Sequence, residues 1–371
     1  MKLNPTKSKY LSLLFAVLLM GMAGYLMSPA LPQTRQRTVT PTPAESNIKV
    51  ADIIKTDVDL VTVDALVLQK DTARVVGNLK QEDFQILEDG NKQTITHFSQ
   101  DNLPLSVVLL IDRGGCLDPF QTEVKRAAKD ALSRLKPADE VAVMTYHNTV
   151  ELQQEFTRDR RSVEYALDIV PPHDEMANHC LNIALDEAAN YMMKAGNPTG
   201  RRVIIMITGV TRNWACGGGP SNTSTEHSVY ESGSVVCGLI PRTPEQVAEN
   251  GMMRWATRFG RIGGAHYIDI QKLANETGGE ILTDVPEELN GTFNTLINHL
   301  RTRYSFSFVS TNKKRDGTLR KLKVDLAKNV EKDNGRLVVK ARKSYVAPKA
   351  DAITTPTATE TESNAVHPHH H

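Results

Sequence analysis

Four side chains in this 371-residue sequence could do chemistry together, namely Asp112, Cys116, His179 and Cys180. Thiolate, imidazole and carboxylate groups are the ligands that zinc and copper ions prefer in proteins. The sequence has four cysteines, and the other two are Cys216 and Cys237. Whether any of these side chains meet depends on the strands and helices that position them.

Asp112 directly follows an almost unbroken apolar run at residues 106–111. The run is too short for a membrane span, and it does not alternate between apolar and polar residues. It therefore predicts a strand that is buried on both faces, in a parallel sheet between helices. In such sheets, ligand sites lie in the loops after the carboxyl ends of the strands. Asp112 is expected at that rim.

Residues 104–303 alternate between strand and helix patterns. A second apolar run at residues 202–208 predicts another central strand, and apolar residues at helical spacing between positions 120 and 135 predict a covering helix. This rhythm predicts a doubly wound, mostly parallel, Rossmann-like sheet with right-handed crossovers. Residues 211–233, with three consecutive glycines and a polar run, are expected to form a loop.

Strand patterns without helices flank this region on both sides. Residues 58–68 alternate with a period of two, and residues 84–98 resemble a hairpin. Further strand patterns lie at residues 304–309, 321–326 and 336–342. Neither set is large enough to close a core independently. We therefore expect a small β-sandwich made by residues 48–103 and 304–348, with the α/β domain of residues 104–303 inserted in it.

The strand that ends in Asp112, its glycine-bearing turn and the following helix resemble the opening of a von Willebrand factor A-type (VWA) domain. The flanking passages at residues 82–90 (EDFQILEDG) and 315–324 (RDGTLRKLKV) resemble the VWA-related proteins known mainly from acidobacteria. In that family an Asp-x-Ser-x-Ser turn, together with a Thr and an Asp from two other loops, holds a divalent cation at a metal-ion-dependent adhesion site. The resemblance implies the same fold and a site at the same rim.

At the positions that match this metal site, the chain departs from the family. It has Asp112, Gly114, Cys116, His179 and Gly209 there, so that only Asp112 keeps the family's ligand. Mg²⁺ and Ca²⁺ require several oxygen ligands, and one carboxylate cannot hold either ion against water. We expect a degenerate site without such an ion, and no cofactor.

The resemblance brings Asp112, Cys116, His179 and Cys180 to one rim and leaves two alternatives. In the first, which an oxidising compartment favours, Cys116 and Cys180 form a disulfide. In the second, the four side chains bind a transition metal. Cys216 and Cys237 are the candidates for a second disulfide, and free thiols or another pairing remain open.

The two ends of the chain differ from its centre. Residues 1–30 combine lysines, an apolar stretch and small residues, and they predict a signal peptide or a membrane anchor. Residues 31–47 have the composition of a linker, and residues 349–371 that of a disordered tail. These features predict an extracytoplasmic protein, in the periplasm or cell envelope or secreted, with a possible N-terminal membrane anchor.

The formal net charge of +1 argues against a nucleic-acid partner, and the sequence has no nucleophile elbow, P-loop or His-Glu-x-x-His motif. We therefore expect a non-enzymatic module that binds a protein partner in the cell envelope or in a larger assembly. The alternative is a transition-metal-binding or redox-active protein that uses the four side chains named first. Aromatic and Met side chains in the expected loop and insertion are candidate interface anchors, namely Trp214, Met252, Met253, Trp255 and Phe259.

Overall fold

The computed structural model describes residues 60–100, 103–171, 178–214, 216–243 and 267–349. The predictions for the N-terminal segment, the linker and the tail from residue 350 lie outside these residues. So do those for four interface candidates, Met252, Met253, Trp255 and Phe259. None of the helices in the described part has the length and apolar character needed to cross a bilayer.

The described residues form strands and helices that alternate through the middle of the chain. The strands are β1 (Leu60–Gln69), β2 (Phe84–Glu88), β3 (Asn91–Gln93), β4 (Ile95–Ser99), β5 (Leu105–Asp112), β6 (Glu140–Tyr146), β7 (Val150–Thr157), β8 (Arg201–Ile207), β9 (Arg212–Trp214), β10 (Val235–Pro241), β11 (Tyr267–Asp269), β12 (Ile281–Asp284), β13 (Tyr304–Val309), β14 (Leu319–Leu326), β15 (Leu337–Ala341) and β16 (Ser344–Val346). The α-helices are α1 (Gln121–Ser133), α2 (Arg160–Asp168), α3 (Leu181–Met192), α4 (Asn222–Ser232), α5 (Ile270–Thr277), α6 (Leu289–Arg301) and α7 (Val330–Asn334).

The central sheet has the strand order β12-β10-β8-β5-β6-β7. All neighbouring pairs are parallel except β6 and β7, which are antiparallel. Every residue of β5 is buried, because its apolar side chains are covered on both faces of the sheet. The predicted mostly parallel sheet with a central strand that ends in Asp112 is confirmed.

Helices cover both faces of this sheet. Alternate side chains of β5 point to opposite faces, so Val107 and Leu109 belong to one core cluster and Val108 and Leu110 to another. Helices α1, α2 and α6 contribute buried side chains to the first cluster, and α3, α4 and α5 to the second. This is the predicted doubly wound arrangement.

Strands from both sides of the α/β region form two antiparallel sheets. Their orders are β15-β1-β13-β4 and β16-β14-β2-β3. The rings of Phe84, from the second sheet, and Phe306, from the first, lie 4.8 Å apart between their centroids in a shared core. The expected small β-sandwich built from N-terminal and C-terminal strands is therefore present.

Two local predictions were wrong. The pattern at residues 84–98 is not one hairpin, because β2 pairs with β3 while β4 crosses to the other sheet and pairs with β13. Residues 222–232, expected in a loop, form α4. The Ser221 hydroxyl caps this helix by accepting a hydrogen bond from the backbone N–H of Ser224, at 3.2 Å. The helix buries the polar residues Thr225 and Ser232, so its sequence lacks the apolar pattern that would have predicted a helix.

A buried ionic cluster joins the edge of the central sheet to the sandwich. Glu280, which precedes β12, is 3% exposed. Its carboxylate lies 2.7 Å from Nδ1 of His299 on α6 and 2.9 Å from Nζ of Lys340 on β15. Burial alone would raise the pKa of Glu280, but the hydrogen bond from His299 and the charge of Lys340 lower this pKa to about 2.

The lowered pKa predicts acid sensitivity at this junction. A carboxyl group with a lowered folded-state pKa stabilises the fold above its ordinary pKa of 4.5 and loses that contribution as the pH falls towards about 2. The loss is on the order of 3 kcal/mol. We expect Glu280→Gln to remove it, so that the free energy of unfolding falls less steeply with acid than in the unchanged chain.

Urea unfolding of both proteins between pH 5 and pH 2 measures this slope. Glu276→Gln is the matched control, because Glu276 forms an exposed ion pair with Lys343 at 3.4 Å and such pairs contribute little. The control should follow the unchanged chain. Equal slopes for Glu280→Gln and the unchanged chain would refute the prediction.

Candidate functional site

Three adjacent strands of the central sheet end at one rim. Asp112 is the last residue of β5, Tyr146 is the last of β6, and Thr208 follows β8. Because β5 lies between β6 and β8, the carboxylate of Asp112 stands at the centre of this group. The tight turn after β5 includes Gly115, whose φ of 90° favours glycine.

The carboxylate of Asp112 is bound by four donors. The Thr208 hydroxyl donates to Oδ2 at 2.6 Å and the Tyr146 hydroxyl donates to the same oxygen at 3.0 Å. The backbone N–H of Gly114 donates to Oδ1 at 2.8 Å. Nδ1 of His179 lies 2.9 Å from Oδ1 and 2.8 Å from Oδ2. The Asp112 side chain has no exposed surface, whereas that of His179 is 20% exposed.

These contacts set the charges at the rim. Burial alone would raise the pKa of Asp112, but the hydrogen bond and charge of His179, with the donors Thr208 and Gly114, lower it. The hydrogen bond to Asp112 in turn raises the pKa of His179, against the opposing effect of burial. Burial and the charge of Asp112 raise the pKa of Tyr146, which keeps this phenol protonated as a donor. Each group therefore favours the charged form of the other.

The His179 ring occupies the space beside Gly114. A Cβ atom added at Gly114 would lie 2.4 Å from Cε1 and 2.5 Å from Nδ1 of His179. Such distances are far inside van der Waals contact, so the ring and a side chain at position 114 exclude each other. A serine at this position, as in the family's metal site, cannot coexist with this placement of the ring.

The Cys116 side chain likewise occupies the space beside Gly209. A Cβ atom at Gly209 would lie 2.9 Å from Cβ and 3.2 Å from Sγ of Cys116. The backbone N–H of Gly209 donates to this sulfur at 3.1 Å. Burial, and then the charge of Asp112, raises the pKa of the Cys116 thiol to about 12. Cys116 therefore takes the space that an aspartate at position 209 would need.

The predicted disulfides Cys116–Cys180 and Cys216–Cys237 were wrong. Cys180 pairs with Cys216, with 5.3 Å between their Cα atoms, and Cys116 and Cys237 are free. The reason is the loop that follows β9, which closes over the start of α3. The Asn182 side chain accepts a hydrogen bond from the backbone N–H of Cys216 at 3.0 Å and donates to its carbonyl oxygen at 3.2 Å. Cys237 is fully buried inside β10, away from that loop.

The residues present do not fit Mg²⁺ or Ca²⁺. Both ions require several oxygen ligands, and positions 114 and 209 have no side chain with which to supply one. Among the described residues, Asp112 is the only carboxylate in the group of possible metal ligands, and its neighbours there are a thiol and an imidazole. Within the described part of this rim, the side chains therefore form no oxygen cage for a hard cation.

Three of the four side chains singled out in the sequence do come together. The ligand atoms of Asp112, Cys116 and His179 all lie within 4.8 Å of one another. The fourth, Cys180, is committed to its disulfide. Sequence reasoning missed Tyr146 and Thr208 as partners of Asp112. Their positions in the sequence could have indicated them, because each lies at the carboxyl end of a strand next to β5.

The interface candidate Trp214 lies on β9, where its backbone pairs with that of Tyr267 on β11. The rim also has polar exposed residues. Asn148, in the turn between β6 and β7, accepts a hydrogen bond from the backbone N–H of Asn178 at 2.9 Å. This contact links the turn to the loop that carries His179.

Comparison with known proteins gives one family. Residues 107–211 match the family model described as the von Willebrand factor type A domain. No curated protein matches the chain.

Solved structures with a similar fold include three of varied origin. An aerotolerance-related membrane protein from Bacteroides fragilis is 17% identical, with 53% of this chain and 98% of that chain covered and a TM-score of 0.38. The von Willebrand factor domain of the type V pili tip protein Mfa5 from Porphyromonas gingivalis is 10% identical, with 53% and 95% covered and a TM-score of 0.36. Proximal thread matrix protein 1 from the mussel byssus, with a zinc-occupied MIDAS motif, is 14% identical, with 58% and 50% covered and a TM-score of 0.40. These likenesses say nothing about function.

The contact between His179 and position 114 predicts a coupled pair of substitutions. We expect Gly114→Ser to lower the free energy of unfolding by about 1–3 kcal/mol, because the new side chain overlaps the His179 ring. In the His179→Thr background, the same substitution should cost less, with a coupling free energy of at least about 1 kcal/mol.

Urea unfolding of the four proteins of this double-mutant cycle measures the coupling. Gly217→Ser is the control, since a Cβ atom there meets no atom within 4 Å and its effect should stay below about 0.5 kcal/mol. Additive effects of Gly114→Ser and His179→Thr would show that the two positions do not compete for space.

The observed disulfide predicts both a peptide map and a stability. Mapping under non-reducing conditions should give a peptide that links Cys180 to Cys216, and the denatured chain should titrate two free thiols. The bond spans 36 residues, so the chain-entropy estimate of its contribution is about 4 kcal/mol. The double variant Cys180→Ser/Cys216→Ser should lose about this much, and dithiothreitol should not destabilise it further. A peptide that links Cys116 to Cys180 would contradict the structure.

Proposed function

We propose that this chain, whose residues 107–211 match the von Willebrand factor type A family model, is an exported, non-enzymatic protein-interaction module. It binds a protein partner through the loops at the carboxyl edge of the central sheet, without a Mg²⁺ or Ca²⁺ bridge. The proposed domain spans residues 104–303 and is inserted between the two parts of the sandwich, residues 48–103 and 304–348.

The pairing of Asp112 with His179 carries the proposal. A hard cation needs several oxygen ligands, whereas this carboxylate accepts hydrogen bonds from Thr208, Tyr146 and Gly114 and pairs with the imidazole of His179. Groups of the protein itself therefore supply the partners of the Asp112 carboxylate. Partner binding then rests on the shape and polarity of the loops.

The loops proposed to contact the partner lie within residues 112–118, 173–180 and 211–264, and the last of these segments also includes α4 and β10. The Cys180–Cys216 disulfide joins the second and third of them. A cross-link that fixes loops before a partner arrives lowers the entropy cost of binding. It also favours an oxidising location, which agrees with the proposed periplasmic, envelope or secreted site and the possible N-terminal anchor.

The test is capture of a partner from an envelope extract by the full chain in detergent. Capture should persist after treatment with EDTA and should not require added MgCl₂ or CaCl₂. Gly217→Arg adds a bulky charge to the rim at an exposed position that has room for a side chain. We expect it to reduce capture about tenfold or more, which corresponds to about 1.4 kcal/mol.

Thr199→Arg is the matched control. Thr199 is exposed and lies just before β8, at the opposite, amino-terminal edge of the sheet. Its substitution adds the same side chain and should leave capture unchanged. Loss of capture in EDTA that MgCl₂ or CaCl₂ restores would overturn the proposal, as would equal effects of the two arginine substitutions.

A further inference from the structure

Asp112, Cys116 and His179 place three different donor groups around one point. Their ligand atoms all lie within 4.8 Å of one another, and the three residues come from the end of β5, from the turn after it and from the loop before α3. We propose that these side chains form a binding site for one zinc ion, with a fourth position left for water or for a group of the partner. This inference goes beyond the proposed interaction function and does not depend on it.

The donor chemistry selects zinc over the hard cations. Thiolate, imidazole and carboxylate are zinc ligands, and three protein ligands with one open position are typical of zinc sites that are not purely structural. Mg²⁺ and Ca²⁺ prefer oxygen alone. The same substitutions that remove the oxygen cage therefore create a set of donors for a softer ion.

The geometry is close to that of a tetrahedral site. With Zn–S bonds of about 2.3 Å and Zn–N and Zn–O bonds of about 2.0 Å, neighbouring donors stand about 3.3–3.5 Å apart. The ligand atoms of Asp112, Cys116 and His179 lie within 4.8 Å of one another. They would have to move by about one ångström to reach tetrahedral spacing. Gly115 lies beside Cys116 and gives the turn this freedom.

Two of the three ligands already have partners of the kind that orient metal ligands. Asp112 accepts hydrogen bonds from Thr208 and Tyr146, and the Cys116 sulfur accepts one from the backbone N–H of Gly209. Such outer contacts fix ligand orientation and contribute to metal affinity. His179 is fixed differently, because the next residue, Cys180, is in a disulfide.

The charges balance when zinc binds. The ion takes the place of the proton on the Cys116 sulfur and of the proton on Nδ1 of His179, and both protons pass to solvent. The thiolate and the Asp112 carboxylate then supply two negative charges to one Zn²⁺, and His179 binds as neutral imidazole. The site contains no net buried charge, which would be costly in this environment.

The test measures zinc itself. The full chain, with its terminal histidines replaced by alanine (His367, His369, His370 and His371), is titrated with ZnCl₂ against a chromophoric chelator. Bound zinc is counted by elemental analysis after gel filtration. We expect one zinc per chain, and a loss of affinity of about tenfold or more in Cys116→Ser and in His179→Gln. Cys237→Ala is the matched control, since it removes the other free thiol, and it should keep the affinity.

A second readout separates ligand loss from misfolding. CoCl₂ in place of ZnCl₂ should give a thiolate-to-cobalt charge-transfer band in the unchanged chain and in Cys237→Ala, and none in Cys116→Ser. Thermal unfolding without metal establishes that each variant is folded. The proposal is overturned if the histidine-replaced chain binds no zinc, or if zinc binding persists undiminished in folded Cys116→Ser.

Discussion

A carboxylate without exposed surface stands at the end of the central strand, and the arrangement of the rim follows from its charge. Asp112 is buried because β5 is covered on both faces, and an ion in such a place needs an opposite charge and hydrogen bonds close by. His179 lies against this carboxylate with its pKa raised by the hydrogen bond between them, and Thr208, Tyr146 and the backbone of Gly114 supply further hydrogen bonds. In the VWA family that this domain resembles, a divalent cation has this role.

The residues at two pairs of rim positions, Gly114 with His179 and Gly209 with Cys116, are physically linked. A side chain at position 114 would collide with the His179 ring, and a side chain at position 209 would collide with Cys116. His179 and Cys116 therefore fill the space that side chains at positions 114 and 209 would need. The described residues of the rim pack closely around the carboxylate and satisfy it with hydrogen bonds.

Sequence reasoning succeeded where the signal was local and strong. The unbroken apolar run of β5 required a strand covered on both faces, and the glycine turn after it placed Asp112 at the rim. It failed where the outcome depended on how separate segments meet. The partner of Cys180 depends on the loop that Asn182 holds over α3, and no pattern within either segment records that contact. Helix α4 was not predicted because its sequence has no apolar stripe. It buries Thr225 and Ser232 instead, and their hydroxyl groups form hydrogen bonds.

The scaffold and the rim are stabilised in different ways, and this separation allows the rim to change its chemistry. The central sheet and the sandwich depend on apolar cores and on the buried junction around Glu280, which lies beyond the contacts of Asp112. The side chains at the rim can therefore differ without a change in these cores. In the proposed zinc site, thiolate and imidazole favour zinc over magnesium. A few side chains in the loops would then determine which ion binds, while the fold fixes the place where they meet.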